Sequence, residues 1–332
     1  MATGKSEAKA TTNGQTIVNI HNGEVMGIVG GGAAVSFDMG GTLGFLLGSG
    51  SGSATTQSDS VIMNVGAKSA TAALMGGGIA VADANGKNNG SASSTAKFVE
   101  LNFEGPKALN ENDKAKLHKA ATTYLPKFRE DIKSQNFSQL VADFTGFADQ
   151  VDIPGVHVAN LGGGSAIARG YFVDDEATGT ATANSKVDSV SMTFNGGYNV
   201  ATAAGGLAVA HDKADASKAA NQTNATANVD KVNLIITGGE NILFTAGGLA
   251  YSTAEKRDGA SLAKATANVG SAEVLVSGGT IDGLLGGGIA FDNVNGKATN
   301  AVANTESVTI EVTGGEINAA NVDPITKPIQ GE

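Results

Sequence analysis

The chain has no cysteine and no tryptophan among its 332 residues, and aromatic residues make up only 5% of it. The absence of cysteine excludes disulfides, thiolate metal sites and a cysteine nucleophile. No apolar run approaches the roughly 20 residues that a membrane helix needs. Because large side chains are scarce, we expect an interior built from small residues in thin, closely stacked layers.

Positive charge is scarce as well. The sequence contains 22 Lys and Arg against 32 Asp and Glu, which gives a net charge of −10 and a pI of about 4.9. Affinity for nucleic acid comes mainly from Lys and Arg that neutralise phosphates, and anionic lipid surfaces attract basic segments. We therefore expect neither a nucleic-acid partner nor membrane insertion of this segment.

Glycine is abundant, with 47 copies, and it recurs in a short motif. The motif is a glycine triad followed by small or apolar residues. Four copies begin at Gly30, Gly76, Gly162 and Gly286, and two copies with alanine in first place begin at Ala204 and Ala246. Successive copies are 46, 86, 42, 42 and 40 residues apart. Self-similarity at a nearly constant period indicates a repeat protein.

One repeat unit contains several short strand patterns. Alternating β-branched residues, as in Ser307–Val312, predict a half-buried strand, and a glycine pair such as Gly278-Gly279 predicts the turn after it. The triad, a polar loop and a small-residue alternation such as Ala265–Val269 complete the unit. We predict an all-β parallel β-helix (β-solenoid), with two coils of about 20 residues in each unit. Inward side chains would form ladders, and glycines would adopt positive φ at the corners.

The interval of 86 residues predicts an α-helical insertion over residues 105–153. The apolar positions there change from a period of two to a helical stripe. The stripe consists of Leu117, Ala120, Ala121 and Tyr124. We expect Pro126 to open a second helix and Ser138 to cap a third.

The insertion admits two interpretations. It packs against the wall of the solenoid, or it protrudes and contacts a partner, as insertions in repeat proteins often do. For the second interpretation the partner-binding candidates are its aromatic residues. They are Tyr124, Phe128, Phe137, Phe144 and Phe147.

Acidic residues follow most of the triads, and equivalent positions of a solenoid stack on one another. They predict a column of carboxylates along one loop edge: Asp38, Asp83, Asp174, Asp175, Asp212 and Asp292. Such a column would offer Ca²⁺ its preferred oxygen ligands or hydrogen-bond a sugar. The alternative is that Asp opens polar turns. Because the calcium-binding nonapeptide and the EF-hand loop are both absent, we assign no metal and no other cofactor.

We assign no catalytic residues and expect no enzymatic activity. The alternative function is a β-helix that binds carbohydrate, or cleaves it as a polysaccharide lyase or glycoside hydrolase, through the acidic loop edge. Cleavage would need two carboxylates a few ångström apart, or carboxylates beside an Arg or Lys.

Two stretches, Val274–Ile281 and Gly286–Ala290, resemble repeats in the passenger regions of bacterial autotransporter and adhesin-type surface proteins. The resemblance covers residues 9–104 and 154–318. It implies a right-handed parallel β-helix, secretion or display on the bacterial cell surface, and a role in adhesion or as a stalk. The implied partners are glycans or proteins of a host or bacterial surface.

These patterns divide the chain into five segments. Residues 1–8 are expected to be an irregular end, either disordered or added for expression. Residues 9–104 and 154–320 form the two solenoid parts around the insertion, and 321–332 form an irregular tail. Because the repeat starts and stops within a unit, we expect exposed end strands that pair copies of the chain end to end.

Overall fold

The structure is a computed structural model. It describes residues 5–37, 51–85, 89–106, 109–133, 139, 142–143, 146–147, 150, 153–172, 180–214, 222–254, 262–294, 300–321 and 325–326.

Within the described residues the strands form two sheets, and every strand pair is parallel. The first sheet consists of β1 (Lys5–Val29), β3 (Ser51–Met75), β5 (Gly90–Phe103), β6 (Val156–Leu161), β8 (Thr180–Ala203), β10 (Gln222–Thr245), β12 (Leu262–Leu285), β14 (Ala301–Ile317) and β15 (Ala320–Asn321). The second sheet consists of β2 (Ala33–Phe37), β4 (Ile79–Asn85), β7 (Ser165–Phe172), β9 (Leu207–Ala214), β11 (Leu249–Ala254), β13 (Ile289–Val294) and β16 (Ile325–Thr326).

The chain alternates between the two sheets. The spatial order of the first sheet runs from β1 through β3, β5, β8, β10 and β12 to β14, and the second sheet advances in the same direction from β2 to β16. Strands β1, β3, β6, β8, β10 and β12 each lead through a triad into a short strand of the second sheet. The prediction of an all-β fold with parallel strands is confirmed, and the arrangement is consistent with a β-solenoid.

One repeat unit makes one layer, so the prediction of two coils in each unit is wrong. Ala225 pairs with Ala265 on one side and with Ala183 on the other, each a full unit away. The long strands bend within a layer, for example at Gly239, whose φ is +85°. Register irregularities flank this glycine pair. Because each long strand bends and continues in a new direction within its layer, one whole repeat unit fits into a single layer.

Described residues in both predicted end segments pair with the sheets. The first strand begins at Lys5, which pairs with Ser51, so residues 5–8 belong to the sheet and not to an irregular end. Within the predicted tail, Ile325 and Thr326 pair with the strand that begins at Ile289. In both places the neighbouring strand offers free backbone groups, and pairing satisfies them.

The interior has a wide part and a narrow part. The wide part is lined by Val, Leu, Ile, Met and Phe side chains, including fully buried Met63, Leu101 and Phe194. The narrow part is lined mainly by alanine from both sheets, and buried Thr56, Ser94 and Ser185 share a row with Ala227. Each large side chain contributes about 1.5–3 kcal/mol on burial, whereas alanine contributes little but lets the two sheets approach closely.

The glycine triads are sites of close backbone approach. Positive φ occurs at turn glycines such as Gly197 and Gly239, whereas the glycines at 30–32, 76–78 and 162–164 do not have it. A Cβ on Gly163 would lie 2.5 Å from the backbone nitrogen of Gly206 in the next layer. The Gly163 amide also donates to the Gly205 carbonyl at 3.1 Å. The triads therefore stack backbone on backbone.

The chain leaves the first sheet for the insertion and returns to it within the same layer. Strand β5 pairs with the first half of β3, and β6 pairs with its second half at His157 and Ala159. Between them runs helix α1 (Glu111–Lys133), which Asn110 caps by accepting a hydrogen bond from the Asp113 amide at 3.0 Å.

The helix continues through Pro126, so the predicted start of a second helix there is wrong. An interior proline removes one backbone hydrogen bond and kinks a helix without necessarily ending it. Ser138, the predicted cap, lies outside the described residues, and 139, 142–143, 146–147 and 150 are helical. Among the described helical residues no stretch is long and apolar enough to cross a membrane.

The close stacking of the triads predicts that one added methyl group destabilises the fold. We expect Gly163→Ala to lower the free energy of unfolding by about 1–3 kcal/mol, because its Cβ overlaps the Gly206 backbone. The measurement is the urea midpoint of the full chain. Gly27→Ala is the control, since a Cβ there has no neighbour within 4 Å. Equal midpoints for the two variants would contradict the role assigned to the triads.

Candidate functional site

Helix α1 is docked on the outer face of the first sheet. Its apolar stripe places Leu117, Ala120 and Tyr124 in a buried cluster with Val156 and Val158 of β6. Partly buried Tyr198 of β8 packs against the same cluster. An amphipathic helix buries its apolar face against whatever apolar surface is available, and here that surface is the strand by which the chain re-enters the sheet.

Two of the five aromatic partner-binding candidates are part of this docking contact. Tyr124 is 9% exposed and Phe147 is 4% exposed, and their rings meet edge to face with centroids 6.0 Å apart. The Lys127 ammonium lies 4.6 Å from the Tyr124 ring centroid and covers its outer side. The prediction that Tyr124 and Phe147 contact a partner is therefore wrong, because their hydrophobic surface is already buried. The Phe128 side chain, Phe137 and Phe144 lie outside the described residues.

A groove of about 320 Å³ lies where the first half of α1 meets the sheet. It is lined by Lys114, Leu117, His118, Tyr198 and Glu240. The Lys114 ammonium lies 3.6 Å from a Glu240 carboxylate oxygen. Burial raises the pKa of the Tyr198 hydroxyl, and the nearby Glu240 and Asp282 carboxylates raise it further, so this phenol is a neutral hydrogen-bonding group.

A column of polar side chains runs through the interior behind the docked helix. Thr71, His157, Asn199 and Asn241 occupy one row in four successive layers, and all four are buried. Thr71 Oγ1 lies 2.9 Å from His157 Nδ1. Asn199 Nδ2 donates to Asn241 Oδ1 at 3.0 Å, and Asn241 Nδ2 donates to the Thr280 carbonyl at 3.2 Å. These hydrogen bonds join the first two layers at Thr71 and His157 and the next three layers from Asn199 to Thr280.

His157 is the titratable member of this column. Its ring packs against Phe103, with centroids 5.1 Å apart, and Phe103 stacks on Phe194 in the next layer. Its Nε2 has no hydrogen-bond partner within the described part of the chain. Burial lowers the pKa of His157 from 6.5 to about 4, so the imidazole is neutral at pH 7.

The predicted carboxylate column does not form a single row among its described members. Asp83 pairs with Arg169, Asp212 pairs with Ala254, and Asp292 pairs with Ser252. These pairs belong to three adjacent rows of the second sheet. Successive residues of a strand point to opposite faces, and Asp292 is fully buried. Asp38, Asp174 and Asp175 lie outside the described residues. Across the described ranges no three His, Asp or Glu residues are grouped as metal ligands would be.

The buried polar column was not among the sequence predictions. A signal for it exists, because His157, Asn199 and Asn241 each stand two residues after a turn glycine with positive φ, at Gly155, Gly197 and Gly239. Alignment of the units on that glycine would have placed the three side chains in one row.

Comparison with known proteins assigns the chain to no family. Neither the family models, nor the curated proteins, nor the solved structures contain a match to this chain.

The buried imidazole predicts a pH-dependent stability. The unfolded chain binds a proton at His157 near pH 6.5, whereas the folded chain does so only near pH 4. The unfolded state therefore binds more protons within this window, and stability falls as the pH falls through it, by about 3 kcal/mol in total. We expect His157→Asn to remove this contribution, since asparagine already fills the same row in the next two layers.

The measurement is the free energy of unfolding from urea titrations at several pH values between 7 and 4. His118→Asn, at an exposed position of helix α1, is the matched substitution at a histidine outside the buried column. A His157→Asn chain with a profile parallel to the wild type would contradict the assignment.

Proposed function

We propose that this chain is a right-handed parallel β-solenoid that serves as a non-enzymatic structural and adhesive segment, secreted or displayed on a bacterial surface. The observation that supports it most is the uninterrupted parallel pairing from β1 to β14, in which each unit adds one layer to both sheets. Such stacking makes an elongated, laterally uniform scaffold whose repeats contact only their neighbours.

The handedness follows from general strand geometry. Two parallel strands of one sheet joined through another element are connected in the right-handed sense in about 98% of cases. Here the element between successive long strands is a short strand of the second sheet. The localisation and the adhesive role rest on the resemblance of the repeats to autotransporter and adhesin passenger regions.

The docked insertion is the feature that breaks the uniformity of the scaffold, and we propose that its outer face contacts the partner. Exposed residues of α1 include Lys116, His118, Lys119 and Thr122. The helix therefore presents ammonium groups on a chain whose net charge is −10. Its inner face is occupied by the sheet, so contact with a glycan or protein of a host or bacterial surface involves the outer face.

Binding to an array of surface glycans and proteins tests the adhesive role. Removal of the insertion is a poor test, because it would expose Val156, Val158 and Tyr198. We expect the double substitution Lys116→Ala and Lys119→Ala to weaken array binding about tenfold or more, since alanine preserves the helix and removes the charges. Lys231→Ala with Lys264→Ala, on exposed strand positions, is the matched control. Absence of binding by the intact chain would overturn the adhesive function.

Association of copies through the solenoid ends is part of the proposal. The outermost strands of the first sheet carry partly buried apolar side chains in equivalent rows, such as Val18 in β1 and Ile310 in β14, and both pack on the same core. Val312 of β14 is 50% exposed although its row partner Val276 is fully buried. A second copy stacked in register would cover these side chains.

We expect sedimentation velocity to show association that increases with concentration, and Val312→Lys to abolish it by placing a charge in the stacking surface. Leu243→Lys is the control, because Leu243 is 41% exposed but lies in the inner strand β10. A wild-type chain that remains monomeric at high concentration would contradict end-to-end stacking.

A further inference from the structure

The groove between helix α1 and the sheet combines three kinds of contact surface. Tyr198 supplies an aromatic ring and Leu117 an apolar wall, while Lys114 and Glu240 supply a donor and an acceptor. Small-molecule sites are concave, have aromatic and apolar walls, and carry a few convergent polar groups. The groove volume of about 320 Å³ lies at the small end of the usual range for such sites, so it suits a single ring.

The charges select the chemistry of the ligand. Lys114 Nζ and Glu240 Oε1 are 3.6 Å apart, so the two groups largely neutralise each other. The ammonium disfavours a cationic ligand, while Glu240 and nearby Asp282 disfavour an anionic one. The groove therefore favours a neutral ligand with many hydroxyl groups. Such groups can donate hydrogen bonds to the Glu240 carboxylate and accept them from the Lys114 ammonium.

A polar row continues from the groove along the outside of the sheet. Tyr198, Glu240, Thr280 and Glu316 are row partners in four successive layers. Strand spacing in a sheet places neighbouring members about 4.8 Å apart. Beside this row Asp282 accepts a hydrogen bond from Asn318 Nδ2 at 2.8 Å. Carboxylates, a hydroxyl and an amide therefore line the path that leads out of the groove, where further hydroxyl groups of a ligand would lie.

We propose that the groove between α1 and β8–β10 binds one neutral sugar ring of a surface glycan, with the ring face on Tyr198 and the hydroxyl groups between Lys114 and Glu240. This inference rests on the adhesive function proposed above for the source of the glycan, and it assigns the ligand class and the site. The apolar face of a pyranose covers the tyrosine ring, and Leu117 closes the apolar side. The helix thereby forms one wall of the sugar site, and the sheet forms the other.

Titration of the tyrosine ring signals tests the inference directly. The chain has four tyrosines, so ¹³C-tyrosine labelling of the full chain gives few and assignable ring signals. The probes are the methyl glycosides of glucose, galactose, mannose and N-acetylglucosamine. We expect at least one of them to shift the Tyr198 ring signals in a saturable manner while the Tyr251 signals stay in place.

Substitutions separate stacking from hydrogen bonding. Tyr198→Ala should weaken binding of the active glycoside about tenfold or more, whereas Tyr198→Phe keeps the ring and should change it about twofold or less. Glu240→Gln should also weaken binding, because it removes the charged acceptor. Tyr251→Ala, on β11 of the second sheet, is the matched control and should bind as the wild type does. Circular dichroism of each variant checks that the sheets are intact.

The outcomes distinguish the site from the wider function. Binding that is unchanged in Tyr198→Ala, or the absence of any shift at Tyr198 with all four glycosides, overturns the sugar site even if the intact chain still binds the array. Saturable shifts at Tyr198 in a chain that binds nothing on the array support the sugar site and overturn the adhesive function. A shift at Tyr198 produced only by charged probes, such as glucuronate or glucosamine, overturns the neutral ligand class.

Discussion

The structure depends on how closely one backbone can approach the next at the glycine triads. Parallel strands are spaced about 4.8 Å apart, and the triad positions have no room for a side chain between successive layers. Alanine occurs in two of the triads, at Ala204 and Ala246, and in both it takes the place of the first glycine only. The alanine rows beside the triads follow from the same constraint, because the two sheets could not meet there over larger side chains. The bulky residues are accordingly confined to the other end of each layer.

Row position decides the environment of every side chain in this fold. A residue in a given row meets its counterparts from the layers above and below, so a polar residue is tolerated inside when its neighbours are polar as well. Thr71, His157, Asn199 and Asn241 show this, because they share one row and form two hydrogen-bonded pairs, Thr71 with His157 and Asn199 with Asn241. A shift of one residue along the strand exchanges inside for outside, and Asp83 and Asp292 occupy adjacent rows of the second sheet.

Much of the architecture could be predicted from the sequence, because the units repeat. The parallel all-β fold and the turns at paired glycines follow from periodicity and residue type, whereas the expected interior of small residues occurs only in the narrow part of each layer. The number of coils per unit could not be deduced, since a strand that bends at Gly239 looks like two strands in the sequence. The docking of α1 could not be deduced either, because the stripe of Leu117 and Tyr124 fits a sheet surface and a partner equally well. The groove at Tyr198 depends on that docking, and the buried column depends on a register that only the structure supplies.

The division of one layer between β5 and β6 makes that layer unlike all the others in the course of folding. Its two halves are separated by about 50 residues, and closing a loop of that length costs on the order of 3–4 kcal/mol of chain entropy. Docking of α1, which buries Leu117, Tyr124 and Phe147 against the re-entering strand, and pairing of β6 with β3 and β8 both offset this cost. The helix therefore joins the two halves of this layer, as the continuous strand does in the other layers.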